Sequence, residues 1–192
     1  TSFTDIADSP YKAAIMALEA RGIVSGSQLY NPESFITYNE FITMLLRLLG
    51  YNPLMEAKGG YPLGAQKLAK QIDLLKAMNT ATYTDCVNRE NAIKLIYQAL
   101  ISPIYDTVGI IGEDVTYGHG KTFLEETYGY EIVTGQVTAN DTTGLYSTDE
   151  AVSEGSIKIG NTVYKDAENK LWKYIGKRIT AVVDKNDTDF SL

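Results

Sequence analysis

Cysteine and histidine are nearly absent from the 192 residues, with Cys86 and His119 the only representatives. One cysteine excludes an internal disulfide framework and a cysteine-rich zinc site, and one histidine excludes a multi-histidine metal centre. Basic charge is also scarce. With 17 Lys+Arg against 24 Asp+Glu the formal charge is -7, too little basic surface to neutralise a run of phosphates, so nucleic acid is not an expected partner. Long apolar runs are missing too. The longest, Phe41 to Leu49, is interrupted by Arg47 and falls far short of the roughly 20 residues a bilayer requires, so no membrane insertion is expected of this piece. The chain starts at Thr1 with neither a methionine nor an apolar leader, as expected of a mature product or a fragment.

What is present changes in character near Asp106. All five prolines (Pro10, Pro32, Pro53, Pro62, Pro103) precede it, and the 9 basic and 10 acidic residues up to that point nearly cancel. Residues 107–192 carry 8 basic and 14 acidic residues, a balance of -6, with 10 of the 16 glycines. Two domains are expected, 1–106 and 107–192.

In the first half four segments repeat apolar residues at helical spacing: Tyr11, Ala14, Ile15 and Leu18; Phe41, Leu45 and Leu48; Leu68, Ile72 and Leu75; Ile93, Ile96, Tyr97 and Leu100. The punctuation agrees. Ser9-Pro10 reads as a cap and first-turn pair, Thr37 with Glu40 has capping-box spacing, Asn88 can cap the last helix, and Gly22 and Gly50 can end the first two. The expected helices are Tyr11 to Arg21, Thr37 to Leu49, Pro62 to Ala77 and Asn88 to Leu100, paired in sequence order, in repeats of about 1–52 and 56–104. In the second half Tyr130 to Ala139, Ser156 to Tyr164 and Lys177 to Asp184 alternate β-branched residues and read as strands, with turn chemistry at Asn140 to Gly144 and Gly160-Asn161 and a short helix over Lys121 to Tyr128. The fold class is α+β: helical-pair repeats followed by a small curved sheet or partly open β-barrel.

The first half resembles the S-layer homology repeat, a module that exported bacterial proteins use to hold cell-wall polymers. Phe3-Thr4-Asp5-Ile6 is similar to its opening, Gly22-Ile23-Val24-Ser25-Gly26 to its central turn, and Tyr30-Asn31-Pro32 to the segment that follows. The family opens its second helix with a T-R-A-E-like tetrad. Here the first copy reads Thr37-Tyr38-Asn39-Glu40, with tyrosine in place of arginine, and the second reads Asn88-Arg89-Glu90-Asn91, which keeps the arginine.

The resemblance implies a noncatalytic surface module of a Gram-positive-type bacterium, located at the cell wall and attached through an anionic secondary wall polysaccharide or through another surface protein. It implies polymer contacts from Arg89, Asn88, Asp5, Thr37, Tyr38 and Glu40, with no cofactor and no metal. An arginine in a first helical turn adds a cation and a bidentate donor fork to the positive end of the helix dipole. Arg89 fits that role, whereas Tyr38 offers only a ring to stack on a sugar. The alternative is a structural spacer or protein-interaction module that has lost polymer binding. A third reading is the accessory part of a surface hydrolase.

Other signals have plain readings. Gly118-His119-Gly120-Lys121-Thr122 ends like a phosphate loop, but Val115 stands where the first glycine belongs, so a glycine-rich interdomain turn with a solvated histidine is expected. Asp184, Asn186, Asp187 and Asp189 crowd oxygen donors without the glycine and terminal glutamate of a calcium loop and read as a polar hairpin or chain end. Glu125 and Glu126 point to different sides of a helix and make no acid–base pair. Cys86 has no legible activating neighbour.

Overall fold

The structure is a computed structural model that describes residues 1–26, 28–76, 78, 82–111, 114–166, 168 and 170–185, with only the backbone at 107–111, 114–117 and 119. It contains two compact units, Thr1–Phe123 and Leu124–Leu192. The chain is α+β, helices first and then a curled four-stranded antiparallel sheet, a half-barrel.

In the first unit the helices are α1 (Lys12–Ala20), α2 (Tyr38–Leu48), α3 (Asn52–Ala57), α4 (Leu63–Gln71) and α5 (Arg89–Leu100). Sequence patterning locates four of these and misses α3, a six-residue helix with a proline in its first turn. Ser9 acts two residues ahead of the observed N-cap, Tyr11. Its Oγ accepts from Tyr11 N at 3.2 Å, and α1 then starts at Lys12 with no side-chain cap. The expected Pro62-to-Ala77 helix ends at Gln71, and Ala77 lies outside the described residues. Gly22 and Gly50 follow their helices with φ of 68° and 82°, as their placement suggested. Gly50 is fixed a second way. A Cβ there would meet the Tyr105 carbonyl oxygen at 2.2 Å, because Tyr105 N donates to Leu49 O at 2.8 Å.

The buried faces differ from the expected stripes. On α2 the inward set is Tyr38, Ile42, Leu45, Leu46 and Leu49, while Phe41 and Leu48 are only half-buried, so the core side lies about one residue around the helix from the expected stripe. On α5 the correction is larger. Leu95 and Ala99 are buried, and Ile93 (68% exposed), Ile96 and Tyr97 face outward. Helix pairing departs as well. α2 packs chiefly on α4, through Ala65, Leu68 and Ala69, rather than on α1. α1 sits in a smaller cluster of Phe3, Ile6, Ile15 and Val24, which α2 touches through Met44.

The interdomain turn expected at Gly118 to Thr122 is instead part of an antiparallel hairpin, β1 (Pro103–Ile111) with β2 (Asp114–Thr122), in which Asp106 pairs with Gly118 and Tyr105 with His119. Gly118 to Thr122 is therefore strand and cannot wrap a phosphate, and His119 is not a loop residue. Stacking of Tyr105 on Tyr51, at 5.1 Å between ring centres, ties this hairpin to the helical core. Burial beside Tyr105 pushes the Tyr51 hydroxyl up to about 12.

The second unit holds α6 (Phe123–Tyr128, from its second residue), β3 (Tyr130–Asn140), β4 (Ser156–Ile159), β5 (Thr162–Lys165) and β6 (Arg178–Asp184), in sheet order β5-β4-β3-β6. The strand expected over Ser156 to Tyr164 is two strands, folded back at Gly160-Asn161. The first part of β3 pairs with β6 and its last residues with β4. The curl is built at the change of partner. A Cβ on Gly135 would lie 2.8 Å from Ile159 Cγ2, and the register shifts between Val137 and Ala139, so the strand bends where a side chain is absent and a residue is extra. Val137, Ile157, Ile159 and Tyr164 form the small core. Positions 186–189 of the oxygen-rich end lie outside the described residues.

Leu45→Ala should destabilise the protein by about 2–5 kcal/mol through transfer and cavity terms, whereas Ile93→Ala on the outward face should cost less than about 0.5 kcal/mol. Urea unfolding of the two variants checks the assignment of faces.

Candidate functional site

The two tetrads meet. Residues 36–39 run antiparallel to residues 83–87, with Tyr38 N donating to Asp85 O at 3.0 Å, Asn39 N to Tyr83 O at 2.9 Å and Val87 N to Ile36 O at 2.9 Å, and with Thr37 bridged to Cys86. A helix start normally leaves four amides without intrahelical partners. At α2 all four are taken. The Thr37 amide and hydroxyl both donate to Glu40 Oε2 at 2.8 Å, Glu40 N donates to Thr37 Oγ1 at 3.4 Å, and the amides of Tyr38 and Asn39 donate to the facing segment. This is the capping box that the spacing suggested, extended by a backbone clasp that the spacing did not suggest.

Tyr38 is 3% exposed, so it presents no ring face to a sugar. Its hydroxyl instead accepts from Asn91 Nδ2 at 2.5 Å, which links the second residue of the first tetrad to the fourth of the second. Asn39 is also buried, and its Oδ1 accepts from Gln66 Nε2 at 2.9 Å, which carries the network to α4. Thr37, Tyr38 and Asn39 are therefore structural in their visible contacts, and an anion would find no unused backbone amide at this helix start.

The second helix start is more open. Asn88 Oδ1 accepts from Asn91 N at 2.8 Å, the cap that the sequence indicated. Glu90 pairs with Lys94 at 2.6 Å, and that hydrogen bond holds its carboxyl below the usual range. The Arg89 side chain is exposed and has no hydrogen bond or ion pair among the described residues. Asp5 is elsewhere engaged. Its two oxygens accept from Tyr30 N at 2.8 Å and Asn31 N at 2.7 Å, pinning the turn in which Asn31 has a φ of 57°, and it is hydrogen-bonded to neither tetrad. A cavity of about 320 Å³ opens there, lined by Asp5, Asp8, Ser9, Pro10, Pro32 and Glu33 among others. Three carboxylates on its wall make it a poor receptor for an anion. The structure thus gathers Thr37, Tyr38, Glu40, Asn88 and Arg89, and gives Asp5 a separate task. Asn91 was overlooked in the sequence because the bond that matters is to a residue 53 positions away.

Residues 2–42 match the S-layer homology domain, a segment that includes Asp5 and the first tetrad and stops short of the second. The chain is also similar to the Middle cell wall protein of Brevibacillus brevis (strain 47 / JCM 6285 / NBRC 100599), 26% identical over 188 residues, which covers 87% of this chain and 17% of that protein. The chain thus spans about a sixth of the length of that relative. No solved structure matches. The S-layer homology segment and this likeness together indicate a location at the cell wall or cell surface.

Tyr38→Phe should destabilise by about 0.5–1.5 kcal/mol, and a double-mutant cycle with Asn91→Ala should recover a coupling of that size. The second expectation concerns acid. The Tyr30 amide, aided by that of Asn31, holds the Asp5 carboxyl below its ordinary 3.8. A depressed folded value means that the contribution is complete above the unfolded value and is lost as the pH falls through the folded one. Acid unfolding of Asp5→Asn should accordingly be less steep below about pH 4.

Proposed function

We propose that this chain is a noncatalytic attachment module of the bacterial cell wall, and that its second tetrad holds an anionic group of a secondary wall polysaccharide. The S-layer homology match and the likeness to a cell wall protein support the attachment role. One observation carries the finer reading. Of the two helix starts, that of α2 has its first four amides spent, while α5 begins with an exposed arginine that has no carboxylate partner among the described residues. A guanidinium at the positive end of a twelve-residue helix suits a carboxylate or phosphate on a polymer. Asn88 flanks it, while Thr37 and Glu40 fix the neighbouring helix start.

A second reading, a spacer or protein-interaction module, draws support from the same closure of the first tetrad and from the outward Ile93, Ile96 and Tyr97 on α5. An experiment separates the two. Purified protein should cosediment with walls that retain their anionic polymer and not with acid-stripped walls, and Arg89→Ala should weaken that association by about 1.5–3 kcal/mol, the worth of a charge-assisted hydrogen bond. Equal sedimentation with both preparations, or with neither, favours the interaction module.

A further inference from the structure

The segment that leads into β6, Lys170 to Arg178, reads KLWKYIGKR, four basic residues and no acidic one in a half of the chain that carries -6. Its backbone is held at many points. Asp166, 9% exposed, accepts from Lys170 N at 3.0 Å and Leu171 N at 2.7 Å. Asn140, 1% exposed, donates through Nδ2 to Trp172 O at 3.3 Å, and Gln136 donates through Nε2 to Gly176 O at 2.9 Å. Gly176 N donates to Val137 O at 2.9 Å, and Val137 N to Lys177 O at 3.0 Å. Leu171, Tyr174 and Ile175 turn against the core.

What remains outside is a fixed set of cations and rings. Lys173 and Lys177 stand over the Tyr174 ring at 5.4 and 6.0 Å, Arg178, next to Lys177 in the sequence, is exposed, and none of the three has a carboxylate partner among the described residues. Lys170, by contrast, is paired with Glu168. Trp172 is 50% exposed. Tyr146, also exposed, donates its hydroxyl to Gln136 Oε1 at 3.0 Å, so one glutamine braces both the loop and a surface ring.

We infer that the surface formed by Trp172, Lys173, Lys177, Arg178 and Tyr146 binds an anionic polysaccharide, at a site in the second unit separate from Arg89. Charge complementarity selects the occupant. A polyanion is repelled by an acidic unit except where three cations cluster without counter-charges, and exposed aromatic faces add stacking for the apolar side of a sugar ring. Rigidity strengthens the case, because a loop already held by buried Asp166 and Asn140 loses little freedom on binding. That the polyanion is a polysaccharide rests on the wall-attachment reading.

Trp172 is the only tryptophan in the chain, so its fluorescence reports this site alone. Titrating the full chain with polygalacturonate should shift or quench its emission to saturation, dextran should not, and about 0.5 M salt should suppress the response. The triple variant Lys173→Gln, Lys177→Gln, Arg178→Gln, with unchanged circular dichroism, should raise the midpoint at least about tenfold, a modest share of three charged contacts. No response to polygalacturonate, an equal response to dextran, or a triple variant that titrates like the parent overturns the inference. Arg89→Ala should leave the Trp172 titration unchanged, so failure of the Arg89 site and failure of this one are read separately.

Discussion

Three backbone hydrogen bonds between residues 36–39 and 83–87 bring together segments far apart in the chain and set the starts of α2 and α5 side by side. Closing so long a loop costs entropy that the contacts it permits must offset. Here they are the α2 face of Tyr38, Ile42, Leu45, Leu46 and Leu49, packed on α4, and the hydrogen bond from half-buried Gln66 to buried Asn39. The same clasp decides the chemistry of each helix start. Tyr38 and Asn39 give their amides to the facing strand, so the positive end of α2 is already neutralised by carbonyls and a carboxylate. The arginine that remains is on the other helix.

Most helix ends were legible because capping depends on a few adjacent atoms. Thr37 with Glu40 and Asn88 with Asn91 act within one turn, and the structure contains both. The buried faces were less legible. On α5 the series Ile93, Ile96, Tyr97, Leu100 has helical spacing, yet the core takes Leu95 and Ala99, because periodicity establishes that a helix has two sides without saying which side is covered. The β1–β2 hairpin was hidden by a proline at its first residue and by glycines at 109, 118 and 120, which read as a linker when their pairing partners are unknown. Of the candidate site, Arg89 and the caps could be seen in advance. The burial of Tyr38 and its bond to Asn91 could not, since both depend on tertiary register.

The two units fix surface segments by comparable means. In the first, Asp5 spends both carboxylate oxygens on the Tyr30–Asn31 turn. In the second, Asp166 and Asn140 do the same for the segment before β6, with Asn140 Oδ1 also accepting from the amides of Thr142 and Thr143. Each is a polar side chain satisfied by backbone groups of a loop that has little regular structure of its own, which lets small cores support ordered surfaces.

The clasp between the tetrads belongs to the stable core of the helical unit. Native-state hydrogen exchange of the Tyr38 and Asn39 amides tests it directly. If the clasp opens only when the helical unit unfolds, these amides exchange as slowly as that of Leu46 in the middle of α2. Exchange at the rate of an exposed loop amide such as that of Phe35 would mean instead that the start of α2 is open to other partners.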